Sequence, residues 1–263
     1  MAAFLAMRAG TRGAAEAAIA RAYAVGAQVR ERDRRLRAID PAAVTVPGGD
    51  PLRDTRGHAV AGAGLFDRFV EQCRGAAPTS LVGNAPSILS QGHGAAIDAG
   101  GPVVRLNDFR IAGFAADVGT RTDYWISSAA RMAEPDAASI GAATAILVPP
   151  HPVERPDVIA FAERRLGLTL APERAGFLPP WVRMLGDALL YPAPSTGMRA
   201  ILLLEFLVGA PYRAFGFDFF QGSAMHYFDR GASRHLPGES HAIGFERDFV
   251  MEVLVPLARF GRF

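Results

Sequence analysis

Short apolar runs alternate with helical or loop segments from residue 79 to residue 148, and this alternation constrains the fold most strongly. Four runs are candidate strands, at 80–82, 103–106, 124–127 and 145–148. Such alternation is typical of a parallel sheet with helices on both faces. We therefore expect an α/β, Rossmann-like fold with a mostly parallel central sheet. Residues 149–193 are rich in proline and are predicted to be loop, apart from a helix at 157–166.

The first candidate strand runs into a turn of small residues. The apolar run breaks at Gly83 and Asn84, and a helix is predicted to begin at Ser87. A strand, a small-residue turn and a helix form a phosphate or nucleotide cradle in open α/β sheets, because backbone N–H groups and the helix N-terminus point at the ligand. The second strand ends at Asn107, another polar residue. The sequence lacks Gly-x-Gly-x-x-Gly, so an ordinary turn without a ligand stays an open alternative.

The composition excludes several kinds of chemistry. All 28 basic residues are Arg, so no Schiff-base, pyridoxal-phosphate or Walker-A lysine exists. The net charge of +2 is too small to indicate a nucleic-acid partner. Cys73 has no second cysteine to pair with, and no apolar run is long enough to span a bilayer. We expect a soluble cytoplasmic protein without a transmembrane segment. Peripheral membrane association stays open because charges cluster at 30–37.

The chain divides at a linker rich in proline and glycine. Residues 1–40 have a helical pattern, 47–51 form the linker, and another helix is predicted at 64–74. We expect an N-terminal helical extension with its linker at 1–76 and a second domain at 77–263.

A second candidate anion site lies at the segment Pro194, Ser195, Thr196 and Gly197. Ser195 or Thr196 is a good N-cap for the apolar helix that follows, and Gly209 is a good stop. A buried helix that offers two hydroxyls and free N–H groups at its N-terminus suits an anion. A strand is predicted next, at 214–218.

Two histidines near the C-terminus are candidate catalytic groups. His241 follows Ser240, a predicted N-cap, and a histidine in the first turn of a helix tends to stay neutral, as a general base requires. His226, in a loop, is suited to hydrogen-bond a leaving phosphate. Structural roles in a loop or cap stay the alternative for both. Glu246 does not share a helical face with His241, so we expect it to hold a loop or cap a neighbouring turn.

Metal and serine-hydrolase chemistry lack their usual motifs. The sequence has no His-Glu-x-x-His, no cysteine near these histidines, no Asp-x-Asp and no Gly-x-Ser-x-Gly. We therefore expect no metal ligands and no cofactor.

Four separated segments together resemble the sialylmotifs of the animal-type sialyltransferases, glycosyltransferase family 29. They lie in the order and at the approximate spacing of that family, over roughly 79–250. The matching residues are, for the large motif, Val82-Gly83-Asn84, Ile97-Asp98, Val104-Arg105-Leu106-Asn107 and Asp117-Val118-Gly119-Thr120-Arg121-Thr122; for the small motif, Pro194-Ser195-Thr196-Gly197 and Gly216-Phe217; for the third motif, His226-Tyr227-Phe228-Asp229; and for the very small motif, His241 and Glu246.

The resemblance implies a GT-A-variant fold and an inverting, metal-independent transfer of sialic acid from CMP-sialic acid to a glycan or glycolipid hydroxyl. His241 is the implied general base, and His226 is the implied partner of the phosphate leaving group. The implied nucleotide-binding residues are Gly83, Asn84, Ser87, Asn107, Ser195, Thr196, Gly197 and Gly216, with Glu246, Asp117 and Tyr227 in support. Two alternatives stay open: a transferase of the same fold that uses CMP-Kdo or another CMP-ulosonic acid, and a non-catalytic nucleotide-binding protein.

Three departures from the family pattern affect these expectations. Ser87 stands where the family has a second Asn, which changes one of the expected nucleotide contacts. The two cysteines that link the large and small motifs of the animal enzymes are missing, as is their membrane anchor. These two differences suggest a bacterial-type cytosolic enzyme.

Overall fold

The computed structural model describes residues 65–128, 136–147, 174–178, 194–221, 224–229 and 243–251, together with residues 163, 164, 167, 169, 186 and 241. Its strands are β1 (Thr79–Val82), β2 (Val103–Leu106), β3 (Tyr124–Ser127), β4 (Thr144–Leu147), β5 (Ala175–Phe177) and β6 (Tyr212–Phe215). Its helices are α1 (Leu65–Cys73), α2 (Gly94–Asp98), α3 (Ala115–Val118), α4 (Ala137–Ala142), α5 (Thr196–Leu203) and α6 (Ile243–Phe249). The predicted helices of residues 1–40, the linker at 47–51 and the predicted N-cap Ser240 lie outside the described residues.

The strands form one parallel sheet in the order β5-β4-β3-β2-β1-β6. Every pairing in it is parallel, which confirms the expected sheet. The chain moves outward from β1 through β5 and then returns to the other side of β1 with β6. The strand order therefore reverses between β1 and β6, and such a switch point opens a crevice at the carboxyl ends of the strands.

Helices cover both faces of the sheet, so every residue of β1, β2 and β3 is buried. On one face, α5 packs on β3. On the other face, the Arg105 side chain of β2 donates from Nη2 to the carbonyl of Val118 at the end of α3, over 2.8 Å. The prediction of helices on both faces is confirmed.

Helix α1 is part of this packed unit. Phe69 lies edge-on to Tyr124 of β3, with ring centroids 4.8 Å apart, and the Tyr124 hydroxyl donates to Gln72 Oε1 over 2.7 Å. The predicted domain boundary after residue 76 follows α1 in the chain, and it stays a prediction. None of the described helices combines the length and apolar character needed to cross a membrane.

Two local predictions were wrong. The helix predicted from Ser87 is only a 3₁₀ turn, Pro86–Ile88, because Leu89 is extended and Ser90 has a φ of 62°. Strand β5 lies in the stretch predicted to be loop. Three residues at the edge of a sheet carry too short a pattern to reveal a strand by periodicity.

Candidate functional site

Two glycines lie where the turns after β1 and β6 meet, at the switch point of the sheet. The Gly83 N–H donates to the Phe215 carbonyl over 2.8 Å, and the Ala85 N–H donates to the Gly216 carbonyl over 3.0 Å. A Cβ at Gly83 would overlap the Gly216 carbonyl oxygen, and a Cβ at Gly216 would lie 2.8 Å from that of Gly83. Gly216 also has a φ of +68°. Glycine is therefore required at both positions for the two turns to touch.

Asn84 connects the turn after β1 to the end of β2. Its Nδ2 donates to the carbonyls of Leu106, over 2.9 Å, and Asp108, over 2.7 Å. Its Oδ1 is buried and has no hydrogen-bond partner among the described residues. The amide nitrogen is thus used for structure, whereas Oδ1 is left without a described partner.

Asn107 and Ser87 differ in how firmly they are held. Asn107 has a φ of 46°, and its Oδ1 accepts from the Ser128 N–H over 3.3 Å. Its carbonyl accepts from Trp125 Nε1 over 2.8 Å. Asn107 therefore ties the ends of β2 and β3 together, whereas Ser87 is exposed on the 3₁₀ turn.

Tyr227 brings the segment 226–229 to the same edge of the sheet. Its N–H donates to the Asn84 carbonyl over 2.8 Å. Its hydroxyl donates to the Arg110 carbonyl over 2.6 Å and accepts from the Arg110 N–H over 2.8 Å. Burial raises the pKa of Tyr227 to about 12, so the phenol stays neutral and keeps both bonds at ordinary pH. The neighbouring His226 is therefore held beside the turn after β1.

His226 has a carboxylate partner that the sequence did not single out. Asp229 Oδ2 lies 3.0 Å from the backbone N of His226 and 3.2 Å from its Nδ1. The imidazole also stacks on Phe228, with ring centroids 5.0 Å apart and planes within 1°. The turn that contains His226 thus orients its ring.

A carboxylate of the protein itself occupies part of the N-terminus of α5. Ser195 is the N-cap, as predicted, and its Oγ accepts from the Met198 N–H over 3.1 Å. The same hydroxyl donates to Glu246 Oε2, and the Ser195 N–H donates to Glu246 Oε1, each over 2.6 Å. The expected free hydroxyl at Ser195 is therefore engaged by Glu246. An anion at this helix would be met by the N–H groups of Thr196 and Gly197.

Glu246 is also affected by the charge of His241. Burial, with 2% of the residue exposed, raises the pKa of Glu246, while hydrogen bonds from Ser195 and the charges of His241 and Arg199 act in the opposite direction. Helix α6 begins at Ile243, so His241 precedes it by two residues and does not lie in its first turn as predicted.

The segment from Asp117 to Thr122 is bound by the protein's own polar groups. Asp98 accepts hydrogen bonds from the Thr120 N–H, over 2.8 Å at its nearer oxygen, and from the Arg121 N–H, over 3.0 Å. Arg105, buried in β2, donates from Nε to the Arg121 carbonyl over 2.9 Å. Asp117 Oδ1 accepts from the Gly92 N–H over 2.8 Å. This part of the large motif therefore supports the loops beside the sheet.

Phe217 connects the two halves of the site. Its ring lies 3.0 Å both from a Cβ built at Gly83 and from one built at Gly197. The turn after β1, the turn after β6 and the N-terminus of α5 therefore meet at one place. Among the described residues, no group of three or more His, Cys, Asp or Glu side chains is placed to hold a metal ion.

Comparison with known proteins finds a family match for part of the site. Residues 71–144 match the model of glycosyltransferase family 29 (sialyltransferase). The family 29 match runs from α1 to the start of β4 and includes Gly83, Asn84, Asn107 and Asp117. The segments from Ser195 onward lie outside it, so their assignment to sialylmotifs remains a prediction.

Two rice proteins are similar to short parts of the chain. Sialyltransferase-like protein 2 of Oryza sativa subsp. indica is 44% identical over 75 residues, which are 27% of this chain and 17% of that protein. Sialyltransferase-like protein 1 of the same subspecies is 50% identical over 44 residues, 17% of this chain and 11% of that protein. The matches thus span less than a fifth of these curated relatives.

The fold extends the likeness beyond this segment. A crystal structure of a mammalian sialyltransferase superimposes with a TM-score of 0.54 at 20% identity and covers 71% of this chain and 68% of that one. A mammalian sialyltransferase in complex with Gal-beta-1-3GalNAc-ortho-nitrophenol gives a TM-score of 0.51 at 20% identity, over 71% and 69% of the two chains. The chain therefore has a sialyltransferase-like fold. These relatives are plant and mammalian proteins and give no support to the expected bacterial type.

Proposed function

We propose that this protein is an inverting, metal-independent glycosyltransferase that moves sialic acid from CMP-sialic acid to a hydroxyl of a glycan or glycolipid. The observation that carries the proposal is the meeting of four separated segments at the β1/β6 switch point. Gly83 touches Gly216, Asn84 accepts from Tyr227, and Phe217 lies against Gly197. Crevices at such switch points are where open α/β sheets bind nucleotides.

In this proposal the donor nucleotide lies along the crevice. Asn84 Oδ1 is a buried acceptor without a described partner, which suits an amino or hydroxyl group of CMP. Gly83 and Gly216 allow the nucleotide to approach bare backbone, and Thr196 and Gly197 direct N–H groups toward a phosphate or carboxylate. Ser87 and Asn107 are proposed to line the same nucleotide.

The reaction needs a base for the acceptor hydroxyl and stabilisation of the departing phosphate. We assign the first role to His241, which would remove the acceptor proton as the sugar–phosphate bond breaks. We assign the second to His226, aided by the N-terminus of α5. An oxocarbenium-like transition state leaves the phosphate with growing negative charge, and hydrogen-bond donors meet this need without a metal.

The cytoplasmic location expected from the sequence also stays a prediction.

Calorimetric titration with CMP, UMP and GMP tests the proposal. We expect CMP to bind in preference to the other two. No binding of CMP would refute both the sialic acid and the CMP-Kdo versions of the proposal.

A donor screen with CMP-Neu5Ac and CMP-Kdo over a panel of glycan acceptors then identifies the sugar. Transfer of Neu5Ac is the expected result. Transfer of Kdo alone would favour the alternative donor, and CMP binding without any transfer would favour a nucleotide-binding protein that is not an enzyme.

A further inference from the structure

Asp229 makes two contacts with one residue. The same carboxylate oxygen, Oδ2, accepts from the His226 N–H over 3.0 Å and lies 3.2 Å from its ring Nδ1. The Asp229 N–H donates back to the His226 carbonyl over 3.1 Å, which closes a four-residue turn. The carboxylate is therefore built into the turn together with the imidazole.

The ring of His226 is fixed in plane as well as along one edge. It stacks on Phe228, and Phe228 in turn lies edge-on to the buried Tyr227, with ring centroids 5.0 Å apart. The side chains of His226 and Asp229 are 29% and 26% exposed. The pair is thus held by packing and still reachable by a ligand.

We propose that Asp229 is a positioning residue that holds His226 with its proton on Nδ1, so that Nε2 is the nitrogen presented to the CMP phosphate. A carboxylate only accepts hydrogen bonds, so the ring nitrogen beside it must carry the proton. When Nε2 is also protonated, it donates to the phosphate, and Asp229 balances the positive charge of the ring. The role of the phosphate rests on the proposed function, whereas the protonation of the ring does not.

The tautomer is measured by NMR of the ring ¹⁵N and ¹³C nuclei of His226 in the protein without ligand. We expect the neutral ring to carry its proton on Nδ1 and to lose this preference in Asp229→Ala. A neutral ring protonated on Nε2 in the unaltered protein would overturn the proposal, whatever the protein binds.

A double-mutant cycle on CMP affinity tests whether Asp229 acts through His226. Asp229→Asn keeps an acceptor for the backbone N–H but removes the negative charge. It should weaken CMP binding roughly tenfold, by analogy with the loss of a hydrogen-bond partner that orients a metal-binding histidine. The same change in a His226→Gln background should have no further effect. Asp248→Asn, at an exposed carboxylate paired with Arg247, is the matched control and should leave the affinity unchanged.

The outcomes of the cycle separate this inference from the proposed function. Equal losses from Asp229→Asn in both backgrounds would mean that Asp229 does not act through His226. Failure of the unaltered protein to bind CMP would refute the proposed function and the phosphate contact together, while the NMR result would still decide the pairing of Asp229 with His226.

Discussion

Gly83 illustrates how the absence of a side chain positions the site. Its Cα lies so close to the Gly216 carbonyl that a methyl group would overlap the oxygen, and the Phe217 ring lies on another side. Neither neighbour yields easily, because one is backbone and the other is packed against Gly197. The two turns can therefore touch only because Gly83 has a hydrogen atom where any other residue has a Cβ.

Substitution of Gly83 should separate the turns. We expect Gly83→Ala to lower the free energy of unfolding by about 1–3 kcal/mol, as overpacking typically does, and to weaken CMP binding. Urea unfolding and calorimetry measure the two effects. Gly244→Ala in α6 is the matched control, since no atom of the described residues lies within 4 Å of its added methyl group, and it should be neutral or slightly stabilising. Equal behaviour of the two variants would contradict this explanation.

His241 is the residue whose chemical role the proposal can test most directly. If it is the general base, His241→Ala should retain CMP affinity and lower the rate of transfer by a factor on the order of a hundred or more. Steady-state kinetics and CMP titration measure the two quantities. His93→Ala is the control, since His93 packs against Phe215 with ring centroids 5.3 Å apart and has no proposed part in the reaction. Unchanged turnover in His241→Ala would remove it as the base.

At the scale of elements, Glu246 fastens α6 to the start of α5. Its carboxylate takes both the N–H and the hydroxyl of Ser195, so the position of one helix depends on the other. Burial still raises the pKa of Glu246 in spite of these bonds. The charged carboxylate is therefore less favourable here than in the unfolded chain.

This pKa shift predicts how stability depends on pH. A carboxyl whose pKa is raised in the folded state binds more protons there than in the unfolded chain, so stability falls as pH rises from the ordinary value of 4.5 through the raised one. We expect this fall in the unaltered protein and a smaller one in Glu246→Gln, measured by urea unfolding across this range. The same slope in both proteins would contradict the prediction.

Removal of the Ser195 hydroxyl should act on the same link. Ser195→Ala loses the N-cap of α5 and a donor to Glu246, and should lower the free energy of unfolding by about 1–2 kcal/mol. It should also steepen the fall with pH, because the bonds from Ser195 lower the pKa of Glu246. Ser87→Ala, on an exposed turn, is the control and should change stability by less than about 0.5 kcal/mol. A loss of stability in Ser195→Ala without any change in its pH dependence would mean that the hydroxyl acts through the N-cap alone.

At the scale of the whole molecule, the strand order creates the proposed site. Residues more than a hundred positions apart become neighbours because β6 returns to the side of β1 that β2 leaves open. The proposed chemistry uses two histidines and the N–H groups at the start of α5. Each of these groups depends on the assembled sheet for its position.

The metal-independent reaction is a prediction about the complete assembly. Treatment with EDTA should leave the rate of transfer unchanged, because the proposed stabilisation of the phosphate comes from protein donors. The assay is transfer from the donor found in the screen, with and without added Mg²⁺ or Mn²⁺ after the chelator. Full loss of activity that either ion restores would contradict this prediction.

The local sequence pattern was sufficient to predict four strands and the N-cap of α5. The apolar runs at 103–106 and 124–127 coincide with β2 and β3, and Ser195 caps its helix as its residue type suggests. These features depend on neighbours in sequence, through side-chain hydrophobicity and a short hydrogen bond. The large-motif residues were visible for the same reason, since they lie close together in the chain.

The pairings that build the site depend on distance in space, which a single sequence does not encode locally. No spacing rule connects Glu246 to Ser195, and Asp229 was quoted with its motif without being recognised as the partner of His226. The sequence by itself determined the parallel α/β fold and the polar residues at its strand ends, because periodicity and turn chemistry are local. Only the tertiary structure decided which polar atoms are used to hold the fold and which, such as Asn84 Oδ1, have no partner among the described residues, because hydrogen-bond partners are assigned when distant segments pack.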